Sequence, residues 1–517
     1  MARKWWTLIA VSTGVFMLLL DLTIVNVALP DIQRAFHASL SDLQWSIDAY
    51  ALTLAAFLLT GGSLADLFGR RRLFAIGLSI FTLGSLACGL ADGSLTLILS
   101  RAGQGVGGAI MFATSLALIA QAFHGRERAI AFAVLGAITG VGVAVGPVLG
   151  GVLTSDLSWR WIFFVNLPIG VLALLVTLAK VDESRNPFAK RLDVAGFITF
   201  SSGLALLTFG LIRSGADGWG STTVAGSLGA AAALLTAFVI VERVQSEPMF
   251  DLALLRMPTF DGGLTAALAI NGSLFALLTY LVLYMQQPLG LSAAQTGVRF
   301  LPLTLAIFFA AGIAGRLSEK VPTKFLIAPG FVLVGVGLLL MRGLSVGSTW
   351  THLLPGMIVA GIGAGLVNVP LAATAVGIVE PARAGMASGI NTTFRQIGTA
   401  TGVAALGAVF ASHVRSTAES HLAGTALGAH ATGIAHAISL GGINGVLPSV
   451  PAKLQPAVIE AGHAGFVSGL NLILLVGAIT AFAGAAATAV LVRERDFVES
   501  TQWEPAEALP EPSQAVA

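Results

Sequence analysis

Long apolar runs separated by short polar segments set the pattern of this 517-residue chain. A helix that spans a bilayer needs roughly 20 predominantly apolar residues. Fourteen runs reach that length: 5–29, 45–65, 73–91, 95–121, 130–153, 161–179, 194–212, 222–241, 262–286, 294–315, 325–344, 352–376, 386–411 and 464–492. The pattern predicts an all-α integral membrane protein with fourteen transmembrane helices. The first run is long and lacks a small-residue cleavage site, so we interpret it as a retained span.

The composition excludes several classes of protein. Hydrophobic residues make up 56% of the chain and charged residues only 10%, against about 25% charged in ordinary globular domains. The chain therefore cannot cover a water-facing surface, and its scattered basic residues exclude a nucleic-acid partner. The lone Cys88 offers no disulfide and no thiol metal site, and no Gly-Lys dipeptide is present to build a P-loop. We expect no enzymatic activity, no cofactor and no metal.

The distribution of basic residues predicts the orientation in the membrane. With the N-terminus inside, 19 of the 28 Lys and Arg fall in cytoplasmic segments and six in outer ones, as the positive-inside rule requires. Both termini are therefore predicted to be cytoplasmic. The tail 493–517 is acidic and rich in Pro, which predicts disorder. The long outer segment 412–463 has only a weak helical pattern and is predicted to be a mobile hairpin or loop.

Short Gly-containing strings recur at one spacing and indicate an internal repeat. The string 62–66 resembles 315–319, and 105–107 resembles 361–363, at offsets of 253 and 256 residues. Chance similarity of short Gly-rich strings is the alternative. A repeat predicts an N-terminal six-helix bundle over 1–179, two extra helices with linkers over 180–260, and a C-terminal six-helix bundle over 261–492. Parallel repeats around a midplane site are the plan of secondary transporters.

Charged residues inside the predicted spans are candidates for function, because an unpaired charge in the bilayer is costly. The two carboxylates well within the spans are Asp21 and Asp48. Helical rise places Asp21 about 12 Å and Arg101 about 9 Å from the outer end of their spans, so an ion pair or shared hydrogen-bond network between them is expected. Burial raises the pKa of a carboxyl group and a nearby Arg lowers it, so changing their separation would load and release a proton. A fixed ion pair that only holds two helices together is the alternative.

Polar residues of the spans are further candidates for a substrate cavity. These are Asn26, Asp48, Gln104, Asn271, Asn368, Asn391 and Arg395. Asp48 lies near the outer end of its span, where simple hydration explains it equally well. For Arg395, as for Arg299, snorkelling or pairing with backbone carbonyls is the more economical interpretation.

Two motifs shape the backbone and are predicted to act in gating. Small residues spaced through 142–151, with Gly146, Pro147 and Gly150, allow close helix approach and favour a kink; packing alone is the alternative. Asp66 stands at the cytoplasmic end of a predicted helix, beside Gly69 and Arg70. A carboxylate opposes the helix dipole there, so a compensating group and a state-dependent latch are expected. A positive-inside anchor is the simpler explanation of the basic residues.

These residues together resemble a known family. The strings 20–30 (LDLTIVNVALP), 62–72 (GSLADLFGRRR), 97–105, 142–151, 159–168 (WRWIFFVNLP) and 383–398 are similar to signature motifs of fourteen-span drug:proton antiporters of the major facilitator superfamily. Gln44, Trp45 and Tyr50, at the start of span 2, also resemble the motifs of this family. The resemblance covers about residues 5 to 490.

The resemblance implies a monomeric multi-pass exporter of small lipophilic drugs or antibiotics in the bacterial plasma membrane, energised by the proton gradient. It assigns proton coupling to Asp21, a cavity or relay role to Arg101, gating to Asp66 and Arg70, and a bend to Gly146 and Pro147. No acid lies in span 10, which argues against a preference for dications. The alternatives are an exporter of an endogenous metabolite and a non-transporting membrane sensor with the same fold.

Overall fold

The computed structural model describes residues 3–123, 125–185, 193–245, 248, 250–318, 320–379, 384–441 and 443–497, and within these ranges the regular structure is entirely helical. The side chain of Asp66, the residues Glu319 and Arg383, and the tail 498–517 lie outside the described part. The predictions that rest on them therefore stay predictions.

The first half of the chain forms seven helices. They are α1 (Arg3–Phe36), α2 (Leu40–Phe68), α3 (Arg70–Gly89), α4 (Ser94–Ala122), α5 (Gly125–Asp156), α6 (Trp161–Phe164) and α7 (Asn166–Lys180). A capping box begins α2, because the Ser39 hydroxyl accepts from the Asp42 amide and the Asp42 carboxylate accepts from the Ser39 amide. Together α6 and α7 make one span, Trp161–Lys180.

Two helices, α8 (Val194–Asp217) and α9 (Thr222–Val244), separate the halves and pack against each other. Asp193 caps α8 by accepting from the Gly196 amide at 2.8 Å, as the sequence pattern indicates for a helix start. A Cβ on Gly203 would lie 2.9 Å from Leu235, so the pair is in close contact. One side of α8 packs against the second half of the chain.

The second half continues with α10 (Pro258–Ile270), a π-helical turn (Asn271–Phe275), α11 (Ala276–Gln286), α12 (Ala293–Arg299), α13 (Leu301–Leu317), α14 (Lys324–Met341), α15 (Leu354–Gly377), α16 (Ala384–Ala423), α17 (Ala431–Gly441), α18 (Ile443–Val446) and α19 (Gln455–Leu491). The helices α10 and α11 with the turn between them make one span, and α12 with α13 make another.

Close helix contacts at glycine repeat from one half to the other. In α4, a Cβ on Gly105 would overlap Thr53 of α2, and a Cβ on Gly107 would overlap Phe81 of α3. In α15, the corresponding Gly361 faces Leu303 of α13, and Gly363 faces Gly330 of α14. The strings 105–107 and 361–363 therefore occupy equivalent packing positions in the two halves, which favours a true repeat over chance similarity.

Twelve helices of the described residues are long and apolar enough to cross a membrane. They include every long helix except α2 and α5, which have 29 and 32 residues and are long enough at about 1.5 Å per residue to cross a hydrocarbon core of about 30 Å. Adding these two is consistent with fourteen spans; that total stays a prediction.

The segment 412–463 is not the loop that its weak pattern predicted. Helix α16 continues to Ala423, α17 and α18 follow, and α19 begins at Gln455. Val414, Ala418 and Leu422 are buried in the main core, and their spacing of four residues gives α16 one apolar stripe. Several other residues of α16 are Ala, which has the highest helix propensity. The apolar stripe was not recognised in the sequence because His, Ser and Thr stand between its residues along the chain, on the other faces of the helix.

The two halves touch near one end of the molecule. Hydrogen bonds join the two halves at three places in the first half: α1 from Asn26 onward, the beginning of α2 and the end of α5. At this end Gln44 Nε2 donates to Val403 O at 3.3 Å, and Tyr280 Oη donates to the same carbonyl at 2.7 Å. This is the end predicted to face outward, and we call it the predicted outer face.

Candidate transport site

The centre of the first half holds a buried ion pair. Arg101 Nη1 of α4 donates to Asp21 Oδ2 of α1, and the two side chains are 2% and 0% exposed. Gln104, one turn beyond Arg101, donates to Asp21 Oδ1 at 2.8 Å and accepts from Arg101 Nη1 at 2.7 Å. Three of the residues that the sequence analysis selected in this half, Asp21, Arg101 and Gln104, therefore form one network.

Residues that the sequence analysis did not select complete this network. Ser85 of α3 accepts from Gln104 Nε2 at 2.7 Å and from Asn166 Nδ2 at 3.3 Å. Arg101 Nε donates to Ser46 O at 3.1 Å, and its guanidinium stacks 4.3 Å from the centre of the Tyr50 ring. Asn166 and Tyr50 stand inside the strings that carry the family resemblance, and a polar residue in an apolar run was the available signal for both.

The ion pair is held by five helices: α1, α2, α3, α4 and α7. Gly105 and Gly107 allow α4 to lie against α2 and α3, which brings Arg101 within reach of Asp21. A buried pair of this kind is neutral as a unit, and removal of one partner leaves an uncompensated charge. The bond between Asp21 and Arg101 therefore keeps each charge in this half compensated.

Asp48 lies apart from this network and differs from the prediction of a hydrated acid. Its side chain is 0% exposed, and neither carboxyl oxygen has a hydrogen-bond partner in the described part of the chain. An unpaired buried charge is strongly disfavoured, so this conformation favours the neutral carboxyl group. The hydration interpretation is wrong because the halves close over this end of α2, with Gln44 and Tyr280 in contact nearby.

A second polar cluster lies in the second half. Arg395 of α16 donates through Nη1 to Asn368 Oδ1 at 2.6 Å and through Nε to Asn391 Oδ1 at 3.2 Å. Thr399 Oγ1 is 3.4 Å from Asn271 Oδ1 and 3.2 Å from Arg395 O. Four cavity candidates, on three spans, are thereby brought together. Pairing of Arg395 with a backbone carbonyl occurs too, through Asn368 O at 3.3 Å.

Asn26 joins neither cluster but connects the halves. Its Oδ1 accepts from Thr279 Oγ1 of α11 at 3.0 Å, and its Nδ2 donates to Leu22 O at 3.3 Å. One turn along α1, Gln286 Nε2 donates to Val27 O at 2.7 Å. These bonds run between α1 and α11, which face each other across the two halves.

The glycines of α5 lie against α1 just beyond Asp21. A Cβ on Gly146 would overlap Thr23 Oγ1, and a Cβ on Gly150 would lie 2.8 Å from Ile24 O. On its other side α5 meets the second half, because a Cβ on Gly297 would overlap Pro147 O. The motif therefore packs between the ion-pair helix and the opposite half.

The turn between α2 and α3 is fastened to the chain after α7. Gly69 has φ 109°, a region that favours glycine, and a Cβ there would lie 2.7 Å from Glu183 Oε1. The Arg71 amide donates to the same oxygen at 3.1 Å, and the Arg70 amide donates to Ser184 O at 2.9 Å. Glu183, which the sequence analysis did not select, is therefore the anchor of the predicted gating turn.

A cavity of about 1260 Å³ lies between the halves at the predicted outer face. It is lined by the end of α1, the start of α2, the turn between α11 and α12, and the segment from α17 to α19. Polar lining residues include Asp31, Arg34, Gln286, Gln287 and His463. The helices of 412–463 thus form one wall of this cavity, whose lining is partly polar and mostly apolar.

Comparison with known proteins places this geometry in a family. The model of the Major Facilitator Superfamily matches residues 11–403. The chain is 38% identical to the multidrug resistance protein Stp of Mycobacterium tuberculosis, over 80% of this chain and 78% of that protein. It is 32% identical to the tetracenomycin C resistance and export protein of Streptomyces glaucescens, over 96% of this chain and 92% of that protein.

The fold agrees with a solved structure at low sequence identity. A bacterial homologue of the human lysosomal transporter Spinster superposes with a TM-score of 0.63 at 18% identity, covering 98% of this chain and 99% of that chain. The motifs, the repeated glycine packing and the family match agree with one another. This multi-pass membrane protein therefore belongs to the Major Facilitator Superfamily.

Proposed function

We propose that this chain exports small lipophilic drugs or antibiotics across the bacterial plasma membrane in exchange for protons. The observation that carries the proposal is the Asp21 carboxylate, fully buried midway along α1 and neutralised by the single cation Arg101. Intramembrane acids with a named partner are functional candidates by default. The chain works without a cofactor, as a monomer surrounded by lipid, with both termini in the cytoplasm.

The proton step follows from the pair. When the site opens to the outer side, Asp21 takes up a proton, its charge disappears, and Arg101 keeps its bonds to Gln104 and Ser46 O. When the site opens to the cytoplasm, Asp21 releases the proton and pairs again with Arg101. Each inward proton supplies roughly 2.3 kcal/mol per 100 mV of membrane potential and about 1.4 kcal/mol per pH unit.

Alternating access is the second part of the proposal. The halves meet at the predicted outer face, so this conformation corresponds to a site that opens toward the cytoplasm. The glycine face of α5 lies flat against α1 and α12, which lets the halves move without interlocked side chains. The turn at Gly69, fastened to Glu183, would control the cytoplasmic side together with Asp66 and Arg70.

The nature of the substrate is inferred from relatives. One is named a multidrug resistance protein and another a resistance and export protein for tetracenomycin C. The second name favours a specific alternative, in which this chain exports an antibiotic made by the same cell. A resistance profile of cells expressing the chain, against a broad compound panel, separates broad drug export from export of one compound.

Purified protein in liposomes with an imposed pH gradient tests the mechanism. The substrate is the compound against which expression gives the largest resistance. Wild type should move it against its gradient, whereas Asp21→Asn should abolish gradient-driven movement and retain substrate binding. Asp217→Asn, a matched change at the exposed Asp217–Arg213 pair of α8, should transport normally. Unchanged transport by Asp21→Asn contradicts the coupling role, and a protein that moves no solute is a sensor.

A further inference from the structure

Arg395 is a cation without a counter-charge. Within the described residues its three hydrogen bonds go to the Asn391 and Asn368 side-chain oxygens and to Asn368 O, and no carboxylate lies within 4.0 Å. Arg101, the central cation of the first half, is paired with Asp21. One half is thus charge-balanced at its centre and the other carries a net positive charge. Arg395 is partly buried inside a membrane span, where an uncompensated charge is costly, so the second half favours an anion.

The guanidinium has donors to spare. An Arg side chain carries five N–H groups in a planar fork, and three of them are used. One N–H on Nη1 and one on Nη2 have no partner among the described residues. These N–H groups remain available to an anion, and hydrogen bonds between a charged donor and a carboxylate are among the stronger ones.

A second donor beside Arg395 is also free. Asn391 is 4% exposed, its Oδ1 accepts from Arg395 Nε, and its buried Nδ2 has no hydrogen-bond partner among the residues that the structure describes. Buried donors are ordinarily satisfied. The neighbouring amides each use one of their two N–H groups locally, because Asn368 Nδ2 donates to Ala364 O and Asn271 Nδ2 donates to Ala267 O, each at 3.0 Å.

The position is that of a transport site. Asn271 lies midway along the span Pro258–Gln286, at the start of a π-helical turn, and such turns often mark functional sites. Asp21 lies midway along α1 in the other half. The two clusters, one in each half, therefore lie near the middle of the membrane. Secondary transporters bind their substrates at this depth.

We propose that Arg395 and Asn391 form a carboxylate-binding subsite, so that the substrates carry a carboxylate on a lipophilic body. The proposal rests on the transport function above and specifies its substrate class. The carboxylate would receive two N–H groups of Arg395 and the free amide of Asn391, and the lipophilic body would lie between the halves. A zwitterion fits this arrangement as well as a simple anion.

Two dyes that differ only at the carboxylate provide the test. Rhodamine 110 has a free carboxylate, and rhodamine 123 is its methyl ester. Their binding to the detergent-purified full chain is measured at pH 7 by fluorescence anisotropy, without a proton gradient. We expect wild type to bind rhodamine 110 at least tenfold more tightly than rhodamine 123. Arg395→Gln should remove that preference, and Arg395→Lys should keep part of it, because the charge stays and the fork is lost.

Controls separate this subsite from folding and from proton coupling. Arg299→Gln changes a cation that is stacked 5.2 Å from the Trp350 ring and should leave the preference intact. Size-exclusion profiles establish that each variant is folded. Equal affinity of wild type for both dyes, no binding of rhodamine 110, or a preference that survives in folded Arg395→Gln would each overturn the subsite. Failure of proton coupling would appear only in the gradient-driven assay.

Discussion

Arg101 donates to Asp21 from the neighbouring helix face, and both side chains are shut off from solvent. Because the charges neutralise each other, either one alone is a buried uncompensated charge. The stability of the first half therefore depends on this bond, and so does the proton coupling that we propose.

Single changes at the pair should destabilise the protein more than the double change. Asp21→Asn or Arg101→Gln should each cost roughly 3–5 kcal/mol, because one buried charge loses its partner. Asp21→Asn combined with Arg101→Gln leaves two neutral amides and should recover part of that loss. Thermal unfolding of the detergent-purified proteins measures the cycle. Strictly additive losses would show that the two charges do not depend on each other.

Asp48 should behave in the opposite way to Asp21. Its carboxyl group is buried without a partner, so Asp48→Asn removes no hydrogen bond and no ion pair. The variant should unfold at or above the wild-type temperature, while Asp21→Asn unfolds below it. Both are measured in one detergent at pH 7. A marked loss of stability in Asp48→Asn would contradict the neutral, unpaired state described here.

The close contact between α5 and α1 at Gly146 should not tolerate an added methyl group. Gly146→Ala places a Cβ onto Thr23 Oγ1, and overpacking of this kind costs about 1–3 kcal/mol. We expect a lower unfolding temperature and slower transport in liposomes. Gly136→Ala on the same helix is the control, because no atom lies within 4 Å of its Cβ position. Equal behaviour of the two variants would contradict a close contact at Gly146.

Glu183 should hold the turn between α2 and α3. Its Oε1 accepts from the amides of Arg71 and Ser184, so Glu183→Ala should increase hydrogen exchange at residues 70–72. Transport should slow if the turn acts as a gate. Asp182→Ala removes only the exposed bridge to Arg3, which contributes about 0–1 kcal/mol, and should change neither readout. Unaltered exchange in Glu183→Ala would refute the anchoring role.

Contacts at Gly407 should stabilise closure of the predicted outer face. A Cβ there would overlap Gln44 Nε2 and lie 2.5 Å from Tyr280 Oη, so Gly407→Ala should shift the population toward the outward-open state. A cysteine introduced at Gln287, which lines the outer cavity, should then react faster with a thiol reagent. Gly433→Ala, which meets nothing within 4 Å, supplies the comparison. An unchanged labelling rate would argue against this closure contact.

The apolar runs alone were enough to predict the helices that form the spans, because a hydrocarbon core accepts little else. The Gly strings at equal spacing predicted a repeat, and the structure places Gly105 and Gly361 in equivalent packing positions. The depth estimate from helical rise brought Asp21 and Arg101 to one level. Family resemblance added the expectation of proton-coupled export, which remains a proposal.

Tertiary packing decided which side chains that are far apart in the sequence form hydrogen bonds and ion pairs with one another. Asp48 is unpaired because the second half closes over it, and the sequence of α2 carries no sign of that closure. Arg395 meets amides rather than an acid, and Glu183 fastens a turn more than a hundred residues earlier. The sequence determined which segments enter the membrane, since hydropathy is a local property. The pairing of Asp21 with Arg101 was expected from depth, but only the structure determined that Asp48 and Arg395 lack a partner of opposite charge among the described residues, because electrostatic neutrality is a property of neighbours in space.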